Sequence, residues 1–222
     1  MRILTVPVAS LPRSKSRLAP VLAPLERAAL TLAMLEDVLD ASLQLSAWDT
    51  WVVSPDEAVL EIAARRGVRP VRDDGETLLR AIRQVDDDAT ERDANALAVV
   101  LGDTPLVTAD ALGRALATLG PVVLAPSSPP ARSGGGEGPG TNLLLRRPPR
   151  AIRPRFGSDS YAKHRVEAER KGLPVASVDE PDLSFDLDVP DDILTLLETG
   201  RSGRTLAVCQ ELDLGSRLQV RT

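Results

Sequence analysis

The sequence predicts a Rossmann-like three-layer α/β/α fold on a mainly parallel sheet, and three observations predict it. Short apolar runs alternate with segments of helical period along most of the chain, the rhythm of strands joined by crossover helices. Several runs, above all ALAVVL at 96–101, are apolar at every position, as strands covered on both faces must be. At 222 residues the chain is long enough for one substantial core and short for two.

Taken in order, residues 2–8 (RILTVPV) predict a buried strand, followed by the basic loop SLPRSKSRLAP. From Pro24 to Leu45, Leu25, Ala28, Ala29, Leu32, Leu35, Leu39 and Leu43 recur at spacings of three and four, which gives a long helix with one apolar face. Pro24 falls in its first turn, where a missing N–H costs nothing. Residues 48–53 read as a strand, 55–66 as a helix closed by Gly67, 68–71 as a strand and 76–85 as a short helix. The strand 96–101 runs into GDTPL, and a helix (108–119) and a strand (121–125) follow. The stretch 127–140 (SSPPARSGGGEGPG) is too poor in apolar side chains to pack and predicts a mobile surface loop. Beyond it come a strand (143–145), a Pro/Arg-rich turn, a helix (158–171), two short strands and a helix (191–198). The domain is therefore expected over 1–199, with 200–222 a tail that has no clear partner, either an extra strand or a frayed end.

Composition excludes several classes. Hydrophobic residues make up 43% and aromatic residues only 2%, so Leu, Val, Ile and Ala must build the core. A net charge of −5 speaks against a broad nucleic-acid-binding surface, though a local basic cluster can still hold one nucleotide. The single cysteine, Cys209, excludes an internal disulfide and a multi-cysteine zinc site. No run reaches the length of a membrane span and the first residues do not read as a secretory signal, so a cytoplasmic protein with no membrane partner is expected.

Four segments carry candidate chemistry. Arg13, Ser14, Lys15, Ser16 and Arg17 follow the first strand, and ligands of parallel α/β sheets bind beyond the carboxyl ends of strands. Three cations in five residues suit a triphosphate, and a solvated basic loop is the bland alternative. No GxxxxGK[ST] phosphate loop is present. Asp103 follows the apolar run 96–101 at the same edge, placed to hold Mg²⁺, with a turn or helix-capping acid as the alternative. In SFDLDVPDD, Asp186 and Asp188 alternate along an extended segment and share a face, where a cation would relieve their repulsion. Asp191 and Asp192 suit the N-terminus of the next helix. Finally, GTN at 140–142 and FGSDSYAKH at 156–164 bring Thr141, Gly157 and Ser160, with hydroxyls and amides near a helix N-terminus that suit an anion. His164 is the only histidine and reads as a packing residue. No Ser-His-Asp or Cys-His arrangement can be built, which favours chemistry done by a metal, cations and positioning.

The segments VPVASLPRSKSRLAP, RAALTLAMLEDVLDA, GDTPL, GTNLLLRRPP, PRFGSDSYAKHR and DLDVPDD occur in the order found in one family. Over about residues 3–195 the chain resembles the 2-phospho-L-lactate and phosphoenolpyruvate guanylyltransferases of coenzyme F(420) biosynthesis. They belong to the wider MobA-like nucleotidyltransferases, with their GT-A-like fold. The resemblance implies transfer of GMP from GTP to a small phosphorylated three-carbon acid with release of pyrophosphate, and a homodimer is compatible with it. It further implies that Lys15, with Arg13, Ser14 and Arg17 beside it, meets the nucleotide. Asp103 with Asp186 or Asp188 would hold magnesium, and Thr141, Gly157 and Ser160 would bind the acceptor. Three features depart from the family pattern: Ala9 stands where a lysine is usual, Thr77-Leu78-Leu79 replaces a Gly-Leu-Asn segment, and the loop 127–140 is unusually glycine-rich. A MobA-like enzyme for another phosphorylated acceptor and a non-catalytic GTP-binding regulator stay open. The first lacks its usual glycine-rich first loop here, and the retained acids oppose the second.

Overall fold

The computed structural model describes residues 1–127 and 138–219; residues 128–137, within the stretch expected as a mobile loop, lie outside the described residues. Seven strands form one sheet: β1 (Arg2–Pro7), β2 (Asp49–Ser54), β3 (Arg69–Arg72), β4 (Ala96–Val100), β5 (Val122–Pro126), β6 (Thr141–Arg146) and β7 (Val175–Ser177). Their order is β3-β2-β1-β4-β6-β5-β7. Every pairing is parallel except the two made by β6, which runs against β4 and β5. The run LLL of β6 is buried on both faces, a pattern that carries no direction.

Nine helices complete the described chain: α1 (Pro24–Ser42), α2 (Glu57–Arg65), α3 (Leu78–Glu91), α4 (Ala109–Ala117), α5 (Ser160–Glu169), α6 (Pro181–Ser184), α7 (Pro190–Thr199), α8 (Arg204–Glu211) and α9 (Leu214–Gln219). The second short strand expected before α7 is absent: Pro181 opens the single turn α6, and an irregular segment carries Asp186 and Asp188. On one face of the sheet, Leu35, Val38 and Leu39 of α1, Val59 of α2 and Leu112 of α4 cover Leu4, Val6, Val52 and Val100. On the other face, α3 places Ala81, Val85 and Ala89 against Ile3, Trp51 and Leu97, and its Ile82 joins Ala168 of α5 over Val99 and Leu144. Three layers result, as the alternating periods predict.

Over its described residues, 200–219, the tail is neither a strand nor frayed. α8 and α9 pack Leu206, Cys209, Leu214 and Leu218 against Leu30 and Met34 of α1 and against Ile193 and Leu196 of α7. Burial pushes the Cys209 thiol up to about 11. Leu18, Leu22 and Leu187 share this cluster, so the tail supports both the basic loop and the acidic segment from below. Asp37 of α1 completes the docking. Its carboxylate accepts from the Arg204 and Thr205 backbone N–H groups at 2.7 and 2.9 Å and from the Thr205 hydroxyl at 2.6 Å, capping α8 from another element.

Candidate active site

A cleft of about 490 Å³ opens at the carboxyl ends of β1, β2 and β4, lined by Val8 and Ala9 after β1, Pro55 after β2, and Gly102 and Asp103 after β4. The adjacent β1 and β4 strands bring the basic loop and Asp103 to one edge, as the parallel topology requires. Two short 3₁₀ turns, Leu11–Arg13 and Ser16–Leu18, shape the loop, and between them Lys15 takes a left-handed conformation at φ 49°. That conformation is costly for a residue with a Cβ and persists only where surroundings hold it. Here Ser14 holds it: its buried hydroxyl donates to Leu11 O at 2.8 Å and accepts from Thr31 of α1 at 2.9 Å.

So held, the Lys15 ammonium lies 2.8 Å from Asp103 Oδ2 and 2.7 Å from Asp188 Oδ1, with its side chain only 7% exposed. Burial alone would depress its pKa, but Asp103 and Asp188 outweigh burial and leave it raised. Asp186 lies close to the same acids. Burial first, and then the charges of Asp103 and Asp188, push its carboxyl up to about 7, with Lys15 opposing them. One ammonium thus faces three carboxylates, and Asp103 Oδ1 is buried with no hydrogen-bond partner. Among the described residues no three ligand groups converge tightly enough to hold a metal unaided. Mg²⁺, however, ordinarily takes one or two carboxylates and completes its shell with water and substrate phosphates. The orphaned Asp103 oxygen and the excess negative charge therefore fit a cation that arrives with a triphosphate.

The acidic segment is fixed from several sides. The Leu187 N–H donates to Asp103 O at 3.1 Å, and Asp192 Oδ2 accepts from the Asp188 and Val189 N–H groups, each at 2.7 Å. Asp192 therefore serves the start of α7, and Asp191 sits in the same first turn. Arg13 and Arg17 stand on the rim. Arg13 Nη1 donates at 3.5 Å to Gly75 O, and Arg17 is 4.0 Å from Asp188 Oδ2 with its side chain 72% exposed. The N-terminus of α3, capped by Thr77, closes the opposite wall, where Leu78 and Asp73 face the cleft. Asp73 accepts from the Gly75 N–H, and its pKa is raised because burial outweighs that bond.

Thr141, Gly157 and Ser160 do not line this cleft. Gly157 is exposed at φ 118°, a conformation that favours glycine. Thr141 and Ser160 are 2% and 1% exposed, and the Ser160 hydroxyl donates to Thr141 Oγ1 at 3.1 Å. His164 stands on the other side of Thr141, fully buried.

A family model described as "Guanylyl transferase CofC like" matches residues 1–218, the two tail helices included. The chain belongs to the CofC-like guanylyl transferases. Among relatives of this guanylyl transferase, the phosphoenolpyruvate guanylyltransferase of Sphaerobacter thermophilus is 40% identical over 194 residues, 86% of this chain and 90% of that one. The 3-phospho-D-glycerate guanylyltransferase of Phenylobacterium zucineum is 36% identical over 93% of this chain and 94% of its own. The 2-phospho-L-lactate guanylyltransferase of Haloarcula marismortui is 39% identical over 87% of this chain and 84% of its own. The fold matches a candidate nucleotide-diphospho-sugar transferase from Desulfovibrio desulfuricans G20 at a TM-score of 0.78, with 18% identity, covering 99% of this chain and 98% of that one. It also matches a nucleotidyl transferase from Methanothermobacter thermautotrophicus at a TM-score of 0.61, with 18% identity over 89% of this chain and 97% of that one.

Two residues of this guanylyl transferase that the sequence did not single out hold its site together. Asn142 Nδ2 donates to Leu183 O and Ser184 O at 2.9 and 3.1 Å, which anchors the chain just ahead of Asp186. Its signal was adjacency: it completes the GTN triplet whose threonine alone drew notice. Thr31, which steadies Ser14, sits mid-helix with no local sign of that task.

Proposed function

We propose that this guanylyl transferase moves GMP from GTP to phosphoenolpyruvate and releases pyrophosphate, with the product destined for coenzyme F(420) biosynthesis. The observation that carries the reading is the buried Lys15 ammonium between Asp103 and Asp188 at the sheet edge. An oxygen of the acceptor phosphate attacks the α-phosphorus of GTP, the bond from that phosphorus to the β-phosphate oxygen breaks, and pyrophosphate leaves. The attacking oxygen is already ionised at neutral pH, so the step needs no general base. Lys15 sets a positive charge against the transferring phosphate and Arg13 and Arg17 meet the outer phosphates at the rim, while Thr141, Gly157 and Ser160, which lie outside the cleft with Thr141 and Ser160 buried, are assigned to the acceptor on the family resemblance alone. Asp103 with Asp186 or Asp188 would hold Mg²⁺, which when bound offsets charge on the phosphates.

Phosphoenolpyruvate is preferred as acceptor because the relative at 40% identity carries that name; 2-phospho-L-lactate and 3-phospho-D-glycerate share its carboxylate and phosphate. The test is pyrophosphate release in Mg²⁺ with GTP or ATP crossed against the three acids. Release only with GTP and phosphoenolpyruvate supports the reading. Release with a different acid corrects the acceptor, and silence from folded protein removes the reading.

A further inference from the structure

Nothing in the proposed reaction uses His164, yet it is the most tightly specified polar side chain near the acceptor residues. It is fully buried, and its ring packs edge-to-face with that of Phe156, centroids 5.1 Å apart and planes at 75°. The Arg155 backbone N–H donates to His164 Nε2 at 2.7 Å, so Nε2 carries no proton. Burial, with Arg146 and then Arg155 nearby, pushes the pKa down to about 3, so the ring is neutral. Its one proton therefore sits on Nδ1, which faces Thr141 Oγ1 at 3.1 Å.

The remaining protons can be counted. Thr141 Oγ1 accepts from Nδ1–H, and one hydroxyl proton bridges Thr141 and Ser160 across 3.1 Å. Two hydroxyls carry two protons, so one is left to donate, and among the described residues no group takes it. The pair lies beside Gly140, where a Cβ would stand 3.9 Å from Ser160 Oγ and 2.9 Å from Ser127 Oγ. That Cβ would collide with the Ser127 hydroxyl, so glycine is what lets the backbone pass this close to it.

We propose that His164 is a positioning residue: held as the Nδ1–H tautomer by the Arg155 backbone, it orients the Thr141–Ser160 pair so that the spare hydroxyl proton is presented to the anionic acceptor. The proposal rests on the reading that Thr141 and Ser160 bind that acceptor. Orientation of this kind strengthens acceptor binding and leaves nucleotide binding untouched.

Three substitutions separate the atoms of the ring. His164→Asn places an amide N–H near Nδ1, His164→Gln keeps an acceptor near Nε2 without the Nδ1 donor, and His164→Phe keeps the shape with neither. The experiment measures KM for phosphoenolpyruvate and for GTP, kcat and thermal midpoint for these variants, with Thr141→Val and Ser160→Ala alongside. His164→Gln and His164→Phe are expected to raise the phosphoenolpyruvate KM about tenfold or more, the loss of one hydrogen bond to a charged group, with the GTP KM unchanged. His164→Asn is expected to stay within about threefold. In the wild type, imidazole nitrogen resonances of the only histidine should report a neutral Nδ1–H ring. An Nε2–H ring overturns the proposal, as does equal impairment of all three His164 variants in step with their thermal midpoints. A raised KM in Thr141→Val with an unchanged one in His164→Gln overturns it while the acceptor reading stands. If neither Thr141→Val nor Ser160→Ala changes that KM, the acceptor reading fails and the proposal falls with it.

Discussion

Lys15 Nζ lies 2.8 Å from Asp103 Oδ2, a contact closed across 88 positions of the chain by the pairing of β1 with β4. Among the described residues the ion pairs of this lysine are with Asp103 and Asp188, so its charge faces the acids of the cleft. Lys15→Met removes the buried cation between them. Turnover is expected to fall by about 10²–10³, the scale of losing one preorganised electrostatic contact, and Asp103→Asn by at least as much. Circular dichroism should show both variants folded. Near-normal turnover in either removes the residue from the site.

The second prediction concerns magnesium. A ligand that binds the folded chain alone stabilises it by RT ln(1 + [L]/Kd), about 2.7 kcal/mol at a hundredfold excess over Kd. The orphaned Asp103 oxygen and the three-to-one excess of carboxylates predict that Mg²⁺ together with GTP raises the thermal midpoint more than GTP with a chelator. Asp103→Asn should abolish the difference in differential scanning calorimetry. A difference that survives this substitution places the metal elsewhere.

The third concerns the tail. Asp37 is 9% exposed and accepts three hydrogen bonds from the start of α8, so Asp37→Ala leaves two backbone N–H groups uncapped. A loss of about 2–3 kcal/mol in urea unfolding is expected. Because Leu18 and Leu187 pack in the same cluster as α8 and α9, kcat should fall with it. A stable and fully active Asp37→Ala variant contradicts the role assigned to the tail.

The fourth follows from the protonation state of His164. Its folded pKa, about 3, lies below the ordinary 6.5, so on acidification the unfolded chain takes a proton that the folded chain refuses. The stabilisation is full above 6.5 and is lost as pH falls toward about 3, at about 1.4 kcal/mol per unit. Wild-type stability should therefore decline more steeply below pH 6.5 than that of His164→Gln, which has no such group. Parallel urea-unfolding curves across that range contradict a buried neutral imidazole.

These residues also show what a chain discloses before it folds. The layers were legible because ALAVVL and the spacing of Leu35, Val38 and Leu39 state burial directly. The meeting of Lys15 with Asp103 was legible because both follow apolar strands of one parallel sheet. The direction of β6 was hidden, since LLL buries equally well either way. The tail was hidden for another reason: Gly200 and Gly203 interrupt its period, and the carboxylate that caps α8 lies 167 positions earlier. His164 stands alone as the only histidine, and its partners, the Arg155 backbone and Thr141, come from an irregular segment and from a strand that no helical spacing connects.

Attack of an acceptor phosphate oxygen on the α-phosphorus of GTP fixes where labelled oxygen must go. Phosphoenolpyruvate carrying ¹⁸O in its phosphate, turned over with GTP and Mg²⁺, tests it most directly through the mass spectra of both products. Every ¹⁸O is expected to stay in the guanosine product, one of them bridging its two phosphates, and pyrophosphate is expected to carry none. Label in the pyrophosphate, or a folded protein that forms no such product, would contradict it.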